Sequence, residues 1–393
     1  MFEHQLASRA TGLKPSAVRE LLKHSKLPGV ISLGGGIPAP ELFDNEGIQL
    51  AVQQVMASQF QEAMQYSLSE GYPPLRQAIA DICRARGVAC DASQVYITSG
   101  SQQSLDIVAR TLLNPGDVVV VERPTYLAAL QVFQLAQANI QSVDTDEDGM
   151  LVEQLADLVQ TSPVKVVYLV PTFGNPGGKT LSEPRRRRLV ELAKQHGFII
   201  VEDDPYGEIS FTDERPQPLY QHAMALGCTD QVIYTSTFSK ILAPGMRVGW
   251  LVMPEWLANK AIIVKQATDL HTSTLSQQIT AQYLSLNRLP AQIALIREDY
   301  RKKCETLASA LEAKLGDHLA FSRPKGGMFL WAHFRYPFNT TEWLKKTLEN
   351  RVVFVPGEAF YNDAPDVTTL RLSYSTVSHE GLVEAVDRLA KSL

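Results

Sequence analysis

Residues 94–136, QVYITSGSQQSLDIVARTLLNPGDVVVVERPTYLAALQVFQLA, alternate between two patterns that decide the fold class. The runs 94–98 and 117–122 are rich in β-branched and aromatic residues, which is typical of strands. The segments 101–113 and 125–136 carry apolar residues at helical spacing. Because the Val-rich run has no polar alternation, we expect its strand to be covered on both faces, as in a mostly parallel α/β sheet with helices on either side.

The alternation continues through the middle of the chain and changes character beyond residue 285. There, a long charged helical stretch is followed by strand-like runs and a last helix, which is typical of antiparallel strands with helices on one side. A Pro- and Gly-rich arm precedes the first helix. We therefore expect an arm over residues 1–45 that joins the smaller domain, a large domain over residues 46–285, and a small α+β domain over residues 286–393.

Composition favours a small-molecule ligand. The 37 basic and 42 acidic side chains give a net charge of −5, which signals no general affinity for nucleic acid or for an anionic membrane. The four cysteines are scattered without a CxxC pair, so we expect free thiols and no metal. The first fifteen residues lack the apolar core of a secretory signal, and no long apolar run follows, so a cytoplasmic location is expected.

Polar residues follow each predicted strand of the large domain. In open α/β sheets, ligands bind beyond the carboxyl ends of the strands. The polar clusters at these ends are SGSQQ (99–103), RPTY (123–126), FGNPGG (173–178), DDPY (203–206) and TFSK (237–240). The sequence therefore predicts a ligand site along one edge of the sheet.

The chemistry of that edge centres on Lys240, which lies in a short connection between two apolar runs. Thr237, Ser239 and Arg247 surround it in sequence, and two hydroxyls with a guanidinium are groups that hold a phosphate. Taken singly, each polar cluster has an ordinary structural explanation. Together they supply an amine for a Schiff base, a phosphate clamp, a carboxylate, a phenol, an amide and a distant arginine, which is the set that pyridoxal phosphate requires.

These motifs resemble the fold-type I pyridoxal-phosphate aminotransferases, in the branch that contains 2-aminoadipate aminotransferases, kynurenine aminotransferase II and the aminotransferase-like domains of MocR regulators. The resemblance runs along almost the whole chain. It is carried by ISLGGGIPAPELF, QYSLSEGYPPLR, TSGSQQSLD, ERPTYLAALQVF, VPTFGNPGG, VEDDPYGE, STFSKILAPGMRVGW, KQATDLHTSTLSQ, RPKGGMFLW, FVPGEAF and TLRLSYS. It implies a large, mostly parallel seven-stranded sheet domain, a smaller α+β domain, and a homodimer with active sites at its interface.

The resemblance also implies roles for individual residues. Lys240 is expected to form the Schiff base and to move the proton between the substrate Cα and the cofactor. Asp203 is expected to hold the pyridinium nitrogen, although alternation along the strand alone does not distinguish it from Asp204. Asn175 and Tyr206 are expected to bond the cofactor phenolate oxygen.

Further implied roles concern the cofactor ring, the phosphate and the substrate. Tyr126 is expected to stack on the ring, and Arg371 to bind the substrate α-carboxylate with help from Asn175 and the backbone of Gly36. The phosphate is expected to be bound by Ser101, Gln102, Thr237, Ser239 and Arg247, with Tyr66 of the partner subunit. The sequence departs from the family pattern at Gly174 and Gly177, in the turn that supports Asn175.

Arg19, in SAVRELLK, matches an arm arginine that lies near the substrate side chain in this branch. If it points into the site, dicarboxylic and polar substrates gain a partner. If it swings away, aromatic and aliphatic substrates fit, so a mobile arm would give broad specificity.

The sequence therefore predicts an aminotransferase that moves an α-amino group from 2-aminoadipate, an aromatic or a branched-chain amino acid to a 2-oxo acid such as 2-oxoglutarate, by a ping-pong route. One alternative is a lyase or decarboxylase that uses the same cofactor. Arg371 argues against it, because a clamped carboxylate leaves the Cα–H bond perpendicular to the ring. The other is a MocR-like regulatory module; such proteins carry a DNA-binding domain before this part, whereas here the family arm begins within the first twenty residues.

Overall fold

The computed structural model describes residues 2–11, 21 and 27–393. Its strands form one large sheet and two smaller ones. They are β1 (Ile31–Ser32), β2 (Val95–Thr98), β3 (Val118–Arg123), β4 (Asn139–Asp146), β5 (Gly149–Met150), β6 (Val164–Leu169), β7 (Ile199–Asp203), β8 (Val232–Thr237), β9 (Gly249–Val252), β10 (Leu319–Phe321), β11 (Phe329–Phe334), β12 (Val352–Val353), β13 (Val355–Pro356) and β14 (Thr369–Ser373).

Helices connect these strands and cover the faces of the large sheet. They are α1 (Ser8–Thr11), α2 (Asn45–Ser58), α3 (Phe60–Ala63), α4 (Pro73–Arg86), α5 (Ser101–Leu112), α6 (Leu127–Leu135), α7 (Val152–Thr161), α8 (Glu183–His196), α9 (Leu219–Leu226), α10 (Glu255–Thr268), α11 (Thr274–Ser285), α12 (Leu289–Leu315), α13 (Thr340–Glu349) and α14 (His379–Lys391). Within the described ranges, no helix is both long enough and apolar enough to cross a membrane.

The large sheet confirms the predicted fold class. Its order is β2-β9-β8-β7-β6-β3-β4-β5. The run from β8 to β4 is parallel, whereas β9 pairs antiparallel with both β2 and β8. The valines of β3 are buried on both faces, as expected for a strand without polar alternation. Because β3, β6, β7 and β8 run in the same direction, the polar segments that follow them meet at one edge.

Within the described residues this sheet has eight strands, one more than the expected seven. The additional strand, β5, has two residues and pairs antiparallel with β4. The sequence reasoning also overlooked β4 itself. Its composition, NIQSVDTD, lacks a Val/Ile run because it lies near the edge of the sheet, where Val143 is the one buried residue of the strand.

The C-terminal part contains the antiparallel sheet β10-β11-β14-β13, with α12 and α14 packed together beside it. The N-terminal segment reaches this part of the molecule, since β1 pairs in parallel with β12. Arg371 lies on β14, so the smaller sheet carries the arginine that the sequence assigns to the substrate.

Candidate active site

A cavity of about 640 Å³ opens at the carboxyl edge of the large sheet. Segments that are far apart in the sequence meet in its wall. The predicted residues that line it are Gly36, Ser101, Gln102, Tyr126, Asn175, Asp203, Tyr206, Thr237, Ser239, Lys240, Arg247 and Arg371. The strand order therefore brings the polar clusters together as the sequence predicted.

Lys240 lies in the turn that follows β8, with its amine inside the cavity. Its Nζ donates a hydrogen bond to the carbonyl oxygen of Gly36 at 2.8 Å. Burial, and the positive charges of Arg371 and Arg247, lower the pKa of Lys240 to about 8, against the opposing effect of Asp203. A lysine with such a pKa is neutral often enough near physiological pH to act as a nucleophile or a base.

Asp203 ends β7 with one carboxylate oxygen bonded and the other unpaired. Its Oδ2 accepts a hydrogen bond from the hydroxyl of Tyr168 at 3.0 Å, whereas its Oδ1 is buried without a partner. Burial raises the pKa of Asp203 to about 7, and the bond from Tyr168 acts in the opposite direction. Leaving a buried oxygen unbonded costs free energy, so Oδ1 is suited to receive an N–H group from a ligand.

Asp204 does not line the cavity; its Oδ2 has protein partners, whereas its Oδ1, like that of Asp203, is buried without a hydrogen-bond partner. It contacts the guanidinium of Arg86 at 3.2 Å and accepts a hydrogen bond from Tyr234 at 3.0 Å. Successive residues of a strand point to opposite faces, so one acid of the pair had to face the other way. The structure thus separates the two carboxylates that alternation left ambiguous.

Donors for an anion gather where α5 begins. Gly100 precedes the helix with a φ of +88°, and an added Cβ there would lie 2.5 Å from the Arg247 side chain. Arg247 Nη2 donates a hydrogen bond to the carbonyl oxygen of Ser99 at 2.8 Å. The N-terminus of a helix presents unpaired backbone N–H groups that attract a phosphate. We call this group the anion cradle; it consists of Ser101, Gln102, Thr237, Ser239 and Arg247.

Arg371 is a buried guanidinium held from several sides. It donates to Asn175 Oδ1 and to the carbonyl oxygen of Gly34, both at 2.7 Å. The rings of Phe329 and Phe360 lie 4.2 Å and 4.9 Å from its central carbon. Its Nε is buried without a partner. A guanidinium has five N–H donors, so donors remain for a carboxylate.

Tyr206 and Gly36 complete the wall near Arg371. Tyr206 is buried, which raises the pKa of its phenol well above its ordinary value, and Asn175 hydrogen-bonds to it. A Cβ at Gly36 would lie 2.8 Å from the ring of Phe329, so a side chain there would crowd the cavity. Tyr126 lines the same wall, at the start of α6.

One predicted site residue, Tyr66, does not line the cavity of its own chain, and another lies outside the described residues. Tyr66 is 79% exposed and meets the ring of His271 edge-on, with the ring centroids 5.8 Å apart. Arg19 lies outside the described residues.

Sequence reasoning missed three residues that support the cavity: Tyr168, Phe329 and Phe360. A detectable signal existed for Tyr168, because a tyrosine inside a buried strand needs a hydrogen-bond partner for its hydroxyl. No comparable signal existed for the two phenylalanines. Their positions against Arg371 depend on how the smaller sheet packs onto the large one.

Comparison with known proteins identifies relatives over the full length of the chain. A family model described as aminotransferase class I and II matches residues 30–389. Aromatic-amino-acid aminotransferase 1 of Thermococcus litoralis is 40% identical over 398 residues, which cover 100% of this chain and 94% of that protein. The 2-aminoadipate transaminase of Thermus thermophilus is 36% identical, over 97% of this chain and 94% of that protein.

A solved structure gives a close match in fold. It is the alpha-aminoadipate aminotransferase LysN from Thermus thermophilus, complexed with N-(5'-phosphopyridoxyl)-L-leucine. The match has a TM-score of 0.94 at 34% identity, and it covers 100% of this chain and 98% of that chain.

Proposed function

The chain belongs to the class I and II aminotransferases and is a transaminase that uses pyridoxal phosphate; on this premise we propose which residues perform the reaction and which substrates enter. The donor is 2-aminoadipate, an aromatic or a branched-chain amino acid, and the acceptor is a 2-oxo acid such as 2-oxoglutarate. The observation that carries the proposal is that the amine of Lys240 shares one cavity with Asp203 and Arg371. The named relatives disfavour a lyase or a regulatory module.

The unpaired groups of the cavity fit pyridoxal phosphate. The orphan Oδ1 of Asp203 suits a protonated ring nitrogen, the anion cradle suits a phosphate, and the amine of Lys240 suits an aldehyde. When bound, the cofactor supplies an aldehyde carbon that takes up the amino group and a protonated ring that withdraws electrons from the substrate Cα. In this proposal Tyr126 lies against the ring, and Asn175 with Tyr206 bonds the ring oxygen.

The protein's own part of the reaction is to bind and orient the substrate and to move a proton. The remaining N–H donors of Arg371 hold the substrate carboxylate by a two-pronged contact. Lys240, once it leaves the carbonyl of Gly36, would take the proton from the substrate Cα at Nζ and pass it to the carbon that had been the cofactor aldehyde. A pKa of about 8 suits this exchange, because a catalytic base works best when its pKa is near the working pH.

We propose that two copies associate and that Tyr66 of the partner subunit completes each anion cradle. Large apolar or aromatic side chains are exposed along residues 60–68: Phe60 at 51%, Met64 at 51%, Tyr66 at 79% and Leu68 at 54%. An exposed apolar patch of this kind is typical of an interaction surface. We also propose that the chain divides into an arm over residues 1–45, a large domain over 46–285 and a small domain over 286–393.

The charged residues that line the cavity favour substrates whose side chains are uncharged. Among the described lining residues the charged ones are Asp203, Lys240, Arg247 and Arg371. All four already have tasks in this proposal, whereas Ile37 and Phe360 offer apolar surface. A dicarboxylic substrate needs one more cation, and Arg19 is the residue we propose for it.

A half-reaction tests the proposed function. The yellow holoenzyme is mixed with one amino acid at a time, without an acceptor, and its absorbance is followed. We expect leucine, phenylalanine, 2-aminoadipate or glutamate to convert the cofactor to its colourless aminated form, and 2-oxoglutarate to restore the colour. An unchanged spectrum with all of these amino acids would show that the enzyme does not transaminate them.

The role of Arg19 has its own test. Arg19→Ala is expected to lower kcat/KM for 2-aminoadipate and glutamate by roughly 10- to 100-fold, since a carboxylate loses its partner, and to leave kcat/KM for leucine unchanged. Arg9→Ala, at an exposed position of the same arm, is the matched control and should affect neither. Equal losses for all substrates in Arg19→Ala would contradict the assignment.

A further inference from the structure

Lys265 is a buried lysine that lies outside the cavity. It belongs to α10 and is 2% exposed. Its Nζ donates to Gln103 Oε1 at 3.0 Å, to Asp269 Oδ1 at 2.9 Å and to Thr272 Oγ1 at 3.1 Å. Burying a charge is costly unless it is fully bonded, and ion pairs of this kind often contribute little net stability. A buried lysine with this many partners therefore calls for an explanation beyond stability.

The partners of Lys265 converge on Ser99. The Ser99 N–H donates to Gln103 Oε1 at 2.7 Å, and its hydroxyl donates to Asp269 Oδ2 at 3.0 Å and lies 3.3 Å from Thr272 Oγ1. The remaining polar atom of Ser99, its carbonyl oxygen, accepts a hydrogen bond from Arg247 Nη2 at 2.8 Å. Ser99 thus joins the Lys265 cluster on one side to a member of the anion cradle on the other.

The backbone around Ser99 leaves little room for adjustment. Ser99 is followed by Gly100 and then by Ser101, where α5 begins. A Cβ at Gly249 would lie 2.8 Å from the Gly100 carbonyl carbon, so the neighbouring strand packs directly against this turn. A shift of Ser99 would therefore move both the start of α5 and the anchor of Arg247.

We propose that Lys265 is a positioning residue for the anion cradle: through Gln103 and Asp269 it fixes Ser99, so that the first N–H groups of α5 and the Arg247 guanidinium are aimed at a phosphate. Lys265 itself does not line the cavity. The inference rests on the proposed function, because it takes the cofactor phosphate as the ligand of the cradle.

The test compares two ligands that differ only in the phosphate. Dissociation constants of pyridoxal phosphate and of pyridoxal are measured for the apoprotein, as the wild type and as Lys265→Met. Losing one positioned set of donors is expected to raise the dissociation constant of pyridoxal phosphate about tenfold or more. The affinity for pyridoxal should stay within about twofold, because Lys240 and Asp203 are untouched.

Two further variants show whether a change in affinity is specific to the positioning role of Lys265. Lys265→Met leaves the Asp269 carboxylate without its cation, so Lys265→Met combined with Asp269→Asn removes both charges and should show the same selective loss. Lys303→Met is the matched control: Lys303 is 4% exposed and pairs with Asp299 at 2.9 Å on α12, outside the cavity lining. It should change neither dissociation constant.

The outcomes distinguish a failure of the positioning role of Lys265 from a failure of the phosphate assignment in the proposed function. Equal weakening of both ligands in the Lys265 variants, or no weakening of either, overturns the positioning role. A wild-type apoprotein that binds pyridoxal as tightly as pyridoxal phosphate overturns the phosphate assignment in the proposed function, and the inference falls with it.

Discussion

Lys240 is partly buried in the wall of the cavity and Lys265 is buried outside it, and the two lysines are bonded in different ways. Lys240 has one hydrogen bond, to the carbonyl oxygen of Gly36, and two arginines nearby. Lys265 has three side-chain partners, one of them the carboxylate of Asp269. Burial lowers the pKa of both lysines, and a carboxylate opposes this in each case: the charge of Asp203 for Lys240, and the hydrogen bond and charge of Asp269 for Lys265.

For the two lysines, hydrogen-bonding capacity distinguishes the proposed reacting group from the supporting one. The groups that we propose to meet the cofactor and substrate keep unsatisfied capacity: Lys240, the Oδ1 of Asp203 and the Nε of Arg371. A supporting group has used its capacity within the protein, as Lys265 has. Unsatisfied buried groups lower stability, and functional sites commonly carry this cost because the ligand removes it.

Removing the amine of Lys240 should have the greatest consequence for activity. Lys240→Ala should lower turnover by up to about 10⁴-fold, because it removes the proposed base for the Cα proton. The variant should still bind pyridoxal phosphate, because the anion cradle, Asp203 and Asn175 remain. Turnover and equilibrium dialysis measure the two properties separately. Activity within tenfold of the wild type would place the base elsewhere.

The adjacent acids each keep one unpaired oxygen, and they differ instead in place and partner: Asp203 lines the cavity, whereas Asp204 pairs with Arg86. Asp203→Asn should lower turnover roughly 10²- to 10³-fold, because a charge that stabilises the reacting ring is lost. Asp204→Asn should instead lower the free energy of unfolding by about 3–5 kcal/mol, since Arg86 then remains buried without its charged partner. Steady-state kinetics and urea unfolding of both variants measure these effects. A reversed pattern would exchange the two roles.

Tyr168→Phe should have a smaller effect, confined to the pH dependence of cofactor binding. A hydrogen bond to a carboxylate favours its charged form, so without the Tyr168 hydroxyl the pKa of Asp203 should rise above about 7. Binding of pyridoxal phosphate needs the charged carboxylate of Asp203. As the pH is lowered, the affinity of the variant apoprotein for pyridoxal phosphate should therefore begin to fall at a pH up to about one unit higher than in the wild type. Titrations between pH 6 and 9 measure the shift.

Tyr234→Phe is the matched control for that experiment. Tyr234 donates to Asp204 at 3.0 Å, the same distance as Tyr168 to Asp203, but Asp204 does not line the cavity. This variant should leave the pH dependence of cofactor affinity unchanged. An identical shift in both variants would mean that the effect is not specific to Asp203.

The cavity could be predicted from the sequence because the direction and order of the strands determine which polar segments meet. Lys240 comes directly after a strand with a fully buried run, and the carboxyl ends of parallel strands meet at one edge. The edge strand β4 was overlooked because partial exposure allows polar residues at most of its positions.

The supporting residues could not be predicted in the same way. Lys265 looks like an ordinary helix lysine in the sequence, and Gln103, which accepts its hydrogen bond, lies 162 residues away. Tyr168 reaches Asp203 from the neighbouring strand, over 35 residues of sequence. Pairings over such separations depend on sheet register and helix packing, which no local pattern specifies.

The proposal that Lys240 is the lysine that bonds to the cofactor can be tested chemically. Borohydride reduction fixes pyridoxal phosphate covalently to the amine that holds it, and digestion with mass spectrometry identifies the labelled residue. We expect one pyridoxyl group per chain, on the peptide that contains Lys240, and none on Lys265. A label on Lys265 or on any other lysine, with Lys240 unmodified, would contradict the assignment.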